Sequence, residues 1–251
     1  QHALTFAAGL ALSGNKPVVA IYSTFMQRAY DQLIHDIAIQ NIPMLFAIDR
    51  AGLVGADGAT HSGNFDISFM RCIPNLILMA PSNESECFHM LSFGYKYNGV
   101  CAVRYPRGNS PGSSIELLND PIRIGCANKV RTGKKVAILA FGPIIEVCRE
   151  VAEEINASLI DMRFIKPIDK KMIRQVCKDH ELIVSVEENA ITGGAGSSVL
   201  EVISESNLLT KTLVLGIPDQ FFEHASQQEV LKACGLDKQS IKRKIVKQLN
   251  G

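Results

Sequence analysis

The 251-residue chain has room for one large or two ordinary domains, and 47 % hydrophobic with 20 % charged residues suits a packed core rather than disorder. Its net charge of +1, from 26 basic and 25 acidic side chains, argues against nucleic-acid or membrane-surface binding, which rests on clustered positive charge. No run approaches the roughly 20 apolar residues of a membrane span.

The chain opens Gln1-His2-Ala3 without an initiating Met, so it reads as the inside of a longer protein: a fragment, a processed product or a trimmed piece. No basic region precedes the apolar stretch 3–12, as a secretory signal would require. Four short apolar runs follow, 17–22 (PVVAIY), 43–49 (PMLFAID), 76–80 (LILMA) and 100–105 (VCAVRY), with helical stretches at 30–40 and 84–95. Residues 108–114 (GNSPGSS) are turn-rich and read as a linker. Beyond it the runs are 136–142 (VAILAFG), 157–161 (ASLID), 182–187 (LIVSVE) and 212–217 (TLVLGI), with helical stretches at 144–155 and 197–205.

Continuous β-branched runs suit strands buried on both faces under helices. The predicted fold is α/β, two tandem domains with mostly parallel sheets, over 1–110 and 124–251, joined by a linker at 111–123. Only 14 of the first 110 positions are charged, against 34 of 128 in the second domain. A surface that poor in charge is expected to lie against another domain, a subunit or a ligand. The seven cysteines form no CxxC pair and sit largely in apolar runs, which predicts a reducing compartment and no zinc.

Ligands of parallel sheets gather beyond the carboxyl ends of strands. After the first run come Tyr22, Phe25, Arg28 and Tyr30, which either pack a core with Arg28 facing solvent or offer a ring and a guanidinium to a ligand. After the second, Arg50, Asp57 and His61 share a loop with glycines 52, 55, 58 and 63, a backbone able to wrap an anion. After the fourth, Pro106 precedes Arg107, which serves either a ligand or a surface ion pair. In the second domain, residues 161–167, 187–189 and the 193–196 glycine turn are read as structural or interface segments.

YSTFMQRAYDQ, DRAGLVGADGATHSGNFD, RYPRGN, DMRFIKPID and VEENAITGGAGSSV stand in this order, and over essentially its whole length the chain resembles the 1-deoxy-D-xylulose-5-phosphate synthases. That family is transketolase-like and depends on thiamine diphosphate. The resemblance implies a pyrimidine-binding domain at 1–110 and a transketolase C-terminal domain at 124–251. A diphosphate-binding domain that carries the Mg2+ ligands is expected to precede them. The glutamate that activates the cofactor in the family would stand just before Gln1. Phe25 matches the ring stacked on the aminopyrimidine and Arg28 the arginine beside it. Tyr22, Arg50 and Arg107 match residues around the aldehyde and its phosphate, and Asp57 and His61 the polar pair facing substrate. Asp57 is expected to orient His61 or a substrate hydroxyl.

The implied reaction condenses pyruvate with glyceraldehyde 3-phosphate, with loss of carbon dioxide, for isoprenoid and thiamine synthesis. A homodimer in a bacterial cytoplasm or plastid stroma is implied, and the chain alone is expected to be inactive. The rival readings are the β-type subunit of a 2-oxoacid dehydrogenase and a non-catalytic assembly fragment.

Overall fold

The computed structural model describes residues 1–108, 115 and 121–250, so most of the expected linker lies outside the described residues. In chain order the strands are β1 Val18–Tyr22, β2 Met44–Asp49, β3 Leu76–Met79, β4 Val100–Arg104, β5 Asn128–Arg131, β6 Val136–Phe141, β7 Ser158–Asp161, β8 Phe164–Lys166, β9 Leu182–Ala190 and β10 Lys211–Ile217. They form two five-stranded sheets, β1-β2-β4-β3-β8 and β10-β9-β6-β7-β5. Each sheet is parallel except for one antiparallel edge strand, β8 on β3 and β5 on β7.

The fully apolar runs occupy the sheet interiors. Every residue of β3, β4 and β6 is buried, because helices cover both faces. The helix Glu84–Lys96 starts where the Asn83 side chain accepts the Glu86 amide at 2.9 Å. The predicted helix at 30–40 is not continuous: one turn, Tyr30–Gln32, gives way to a π-helical stretch, Leu33–Ala38. Helix His2–Leu12 buries Leu4, Ala7 and Ala8.

The two halves interlock. β8 follows the second sheet's β7 in sequence but pairs in the first sheet, Leu78 with Lys166 and Met79 with Phe164. The segment read as structural or interface at 161–167 therefore carries an interface strand. Arg71, at the end of helix Asp66–Met70, donates to the Gly193 carbonyl at 2.6 Å, to Ser198 Oγ at 2.9 Å and to Glu201. Arg104, at the end of β4, forms a buried ion pair with Asp66 at 2.9 Å and donates to the Glu188 carbonyl at 3.0 Å. The 193–196 turn opens helix Ala195–Glu205, whose first amides are occupied by the Glu187 carboxylate at 2.7 and 2.8 Å.

All seven cysteines are free, and Cys101, Cys148, Cys177 and Cys234 are buried as small apolar groups. Burial pushes the Cys101 and Cys234 thiols up to about 12. Among the described residues no helix is long and apolar enough to cross a membrane.

Candidate active site

The carboxyl ends of β1, β2 and β4 lie side by side, because β2 is hydrogen-bonded to both neighbours. Tyr22 closes β1, Arg50 follows β2, and Arg107 lies three residues past β4. The ends of β2 and β4 are tied by Tyr105 N–H to the Ile48 carbonyl at 2.9 Å and Ala51 N–H to the Tyr105 carbonyl at 3.0 Å. Side chains distant in sequence thus meet at one sheet edge.

Arg50 adopts a left-handed backbone, φ 55°, which a non-glycine residue enters at a cost of about 1–3 kcal/mol. Asp49 stabilises this turn by accepting from the Arg50 amide and from Nη1, both at 2.6 Å. The guanidinium is thereby laid over the Tyr22 ring, 3.8 Å from its centroid. Tyr22 stacks on Phe25 at 5.2 Å, and His61 meets Phe25 edge-on at 5.7 Å. Phe25 keeps 49 % of its surface exposed.

Asp57 ends a short 3-10 turn, Gly55–Asp57, and sits between two guanidinium groups, 3.3 Å from Arg107 Nε and 3.7 Å from Arg50 Nε. A cavity of about 620 Å3 opens here, lined by Asp49, Arg50, Tyr105, Arg107, Ser226 and Gln227. Arg107 approaches Asp57 through Nε, keeps 45 % of its side chain exposed and lines the cavity, so its fork of donors is available there. A second cavity of about 570 Å3, between the domains, shares Tyr105, Arg107 and Gln227 with the first.

Arg50, Asp57 and Arg107 therefore form one cluster, and Tyr22, Phe25 and His61 a second, with the Arg50–Tyr22 contact joining them. Arg28 is exposed on the 3-10 turn Gln27–Ala29, three residues past Phe25, and has no hydrogen bond or ion pair among the described residues.

Asp57 Oδ2 lies between the two arginines, while His61 Nδ1 pairs with Thr60 Oγ1 at 3.0 Å, an arrangement that favours the expected role of Asp57 toward a substrate hydroxyl over the one toward His61. The loop glycines serve close approaches within the chain itself. Gly52 and Gly63 close the loop's neck with two backbone hydrogen bonds, at 2.9 and 2.8 Å. A Cβ on Gly52 would lie 2.9 Å from Glu188 Cβ, and one on Gly55 2.7 Å from the Gln227 amide. A Cβ on Gly58 would clash with the His224 ring at Nε2, and one on Gly63 would meet the Arg50 carbonyl. Three of the four glycines thus admit the second domain.

That second-domain wall, His224, Ser226 and Gln227, escaped the sequence reading. Its local signal is only the Ser226/Glu229 capping box that starts helix Gln227–Cys234. Nothing in it points to a loop about 170 residues earlier.

Among the described residues no group of three or more His, Cys, Asp or Glu is placed to hold a metal ion. The exposed Phe25 ring, with His61 at its edge, fits the flat pyrimidine half of a thiamine cofactor.

Residues 1–113 match the family model for the transketolase pyrimidine-binding domain, and residues 125–241 that for the transketolase C-terminal domain. A 1-deoxy-D-xylulose-5-phosphate synthase from Haemophilus influenzae strain PittGG is 58 % identical over 98 % of this chain and 39 % of its own. The synthase of Pasteurella multocida strain Pm70 is 58 % identical over 98 % of this chain and 40 % of its own. The chain thus spans about two fifths of the length of these relatives. Among solved structures, a split-gene transketolase described as an inactive β4 tetramer superposes with TM-score 0.86 at 25 % identity, over 99 % of this chain and 81 % of that one. The transketolase of Campylobacter jejuni shares the fold, with TM-score 0.69 at 16 % identity. Carrying both domains in order, and identity above one half along nearly its whole length, the chain belongs to the 1-deoxy-D-xylulose-5-phosphate synthase family of transketolase-type enzymes.

Proposed function

We propose that this chain is the pyrimidine-binding and C-terminal part of a thiamine-diphosphate-dependent transferase. Its reaction joins pyruvate to glyceraldehyde 3-phosphate, with loss of carbon dioxide, giving 1-deoxy-D-xylulose 5-phosphate for isoprenoid and thiamine synthesis. The observation that carries the reading is the convergence of Arg50 and Arg107 on one carboxylate beside an exposed aromatic cluster. The synthase names of the relatives support it.

Thiamine diphosphate, when bound, supplies the electron sink that lets pyruvate lose carbon dioxide. Phe25 offers its ring face to the aminopyrimidine, with Arg28 at the border. Mg2+ bound with the diphosphate would take its ligands from the portion of the relatives that this chain does not span. Arg50 and Arg107, spread by Asp57, bind the substrate phosphate and so hold the aldehyde in place. Tyr22, under the Arg50 guanidinium, borders the same phosphate. The Thr60 contact on His61 Nδ1 leaves Nε2 to give a proton to the aldehyde oxygen as the new carbon–carbon bond forms.

Arg107→Ala, measured in an active preparation that includes the portion of the relatives this chain does not span, will raise KM for glyceraldehyde 3-phosphate roughly ten- to hundredfold. That is the worth of one charge-assisted hydrogen bond, about 1.5–3 kcal/mol. KM for pyruvate will change less than about twofold. Equal effects on both substrates would take Arg107 out of the phosphate site.

The 251-residue chain alone will neither turn over pyruvate nor bind the cofactor tightly, and micromolar binding in a calorimeter would contradict this. Exposed Phe6, Leu12, Val18 and Ile39 form apolar surface suited to a second copy, and a homodimer is the proposed assembly. The proposed location is a bacterial cytoplasm or a plastid stroma. In a second reading a partner chain supplies the diphosphate-binding part; it is favoured by the 81 % coverage of the split-gene neighbour. Co-purification of a second polypeptide that restores turnover would select that reading.

A further inference from the structure

Gly58 has φ 73° and ψ −172°, a backbone region open essentially to glycine alone. Its Cα lies so close to the His224 imidazole that any Cβ would clash with the Nε2 side of the ring. The carbonyl of this same residue accepts the His61 amide at 3.2 Å and the Ser62 hydroxyl at 3.3 Å. Its own amide donates to the Gly55 carbonyl at 3.0 Å, closing the turn that presents Asp57. Gly55 in turn lies under the Gln227 backbone, and Gln227 Nε2 donates to the Leu53 carbonyl at 3.4 Å. The second domain therefore touches the loop at 53, 55 and 58, on the residues that set the directions of Asp57 and His61.

We infer that the 224–227 segment is a positioning brace for the catalytic loop, with His224 the residue that sets it through Gly58. His224 is not placed against a reacting atom: it acts through packing on Gly58, whose three nearest non-local atoms all belong to its ring. The same segment puts Ser226 and Gln227 on the wall of the cavity holding Arg50 and Arg107. The C-terminal domain thus fixes both the proton-donating and the phosphate-binding halves of the site. The inference deepens the proposed function and rests on it for the phosphate, but the loop geometry stands independently.

The test uses the full 251-residue chain and two readouts. In His224→Ala, amide hydrogen exchange at Gly58 and His61 will speed up at least tenfold, while core amides of β2 keep wild-type rates. Binding of glycerol 3-phosphate, followed by nuclear magnetic resonance, will weaken three- to tenfold. His224→Phe, which restores a flat ring without a titrating group, will return both values to within twofold of wild type. Unchanged exchange at Gly58 and His61 in His224→Ala overturns the brace. Failure of the phenylalanine variant to rescue overturns packing as its cause. If the wild-type chain binds no glycerol phosphate, the phosphate reading of Arg50 and Arg107 fails, and the exchange rates alone decide the brace.

Discussion

Arg104→Met will cost the chain about 3–5 kcal/mol of folding stability, the usual consequence of leaving one member of a buried ion pair alone. Asp66 is wholly buried and Arg104 only 2 % exposed, so no water replaces the missing partner. Asp66 Oδ1 would keep the Ile67 amide at 2.9 Å, but Oδ2 would lose its Arg104 Nε donor. The Glu188 carbonyl would lose its 3.0 Å bond, and the Glu188 carboxyl the positive charge that, with the Leu53 amide, offsets its burial. Equilibrium unfolding in urea measures the loss directly, with an unchanged denaturant slope showing that the effect is on stability. The double variant Arg104→Met/Asp66→Leu should recover most of it, since neither charge is then stranded. A loss below about 1 kcal/mol in the single variant would mean that the pair is solvated in solution.

Arg104 also shows where a sequence reading stops. It sits inside VCAVRY, a run read correctly as a strand because its apolar neighbours are buried on both faces. Nothing in that run says that the strand's end faces another domain, and the arginine's partners lie 38 and 84 residues away. The interior strands of both sheets were legible for the same reason: continuous apolar runs are a local signal. β5 (NKVR) was invisible, being an edge strand with two exposed and two half-buried residues. β8 is three residues long and pairs across the domain boundary, so no window around it contains its partner.

In the site, the strand-end rule located Tyr22, Arg50 and Arg107, and the motifs assigned them tasks. The sharing of Asp57 by two arginines needed the β2–β4 adjacency, which is topology rather than sequence. The glycine-rich loop is plain in the sequence, but the close approaches that demand glycine there are not. Glycine is required there by the close approach of Glu188, Gln227 and His224, all from the other half of the chain.

Stability will fall as pH rises from about 4.5 to 7, and Glu187 is a principal cause. Burial pushes its carboxyl up to about 7, against the Gly196 and Ala195 amides and the charges of Arg104 and Arg71, which favour the ionised form. The folded chain thus holds this proton more tightly than the unfolded chain, whose glutamate titrates near 4.5. The contribution is therefore complete below 4.5 and is lost as pH passes through 7. Its size is about 3 kcal/mol, at 1.36 kcal/mol for each tenfold change in proton affinity.

Asp161 acts with the same sign. Burial raises it from 3.8 to about 6, so its contribution fades across that lower window. Glu187→Gln separates the two, because a neutral amide cannot titrate. At pH 8 the variant should be more stable than wild type; near pH 4.5 it should be equal or weaker, having one acceptor fewer for the two helix amides. The stability curves of the two proteins, taken by urea unfolding between pH 4.5 and 8, will cross. If instead Glu187→Gln is weaker by the same amount at every pH, the helix amides hold the carboxylate ionised and burial is the lesser effect. A crossing would place the pH response on the strand that also carries Glu188 and Asn189 against the first domain, so that alkaline pH loosens the seam between the two sheets.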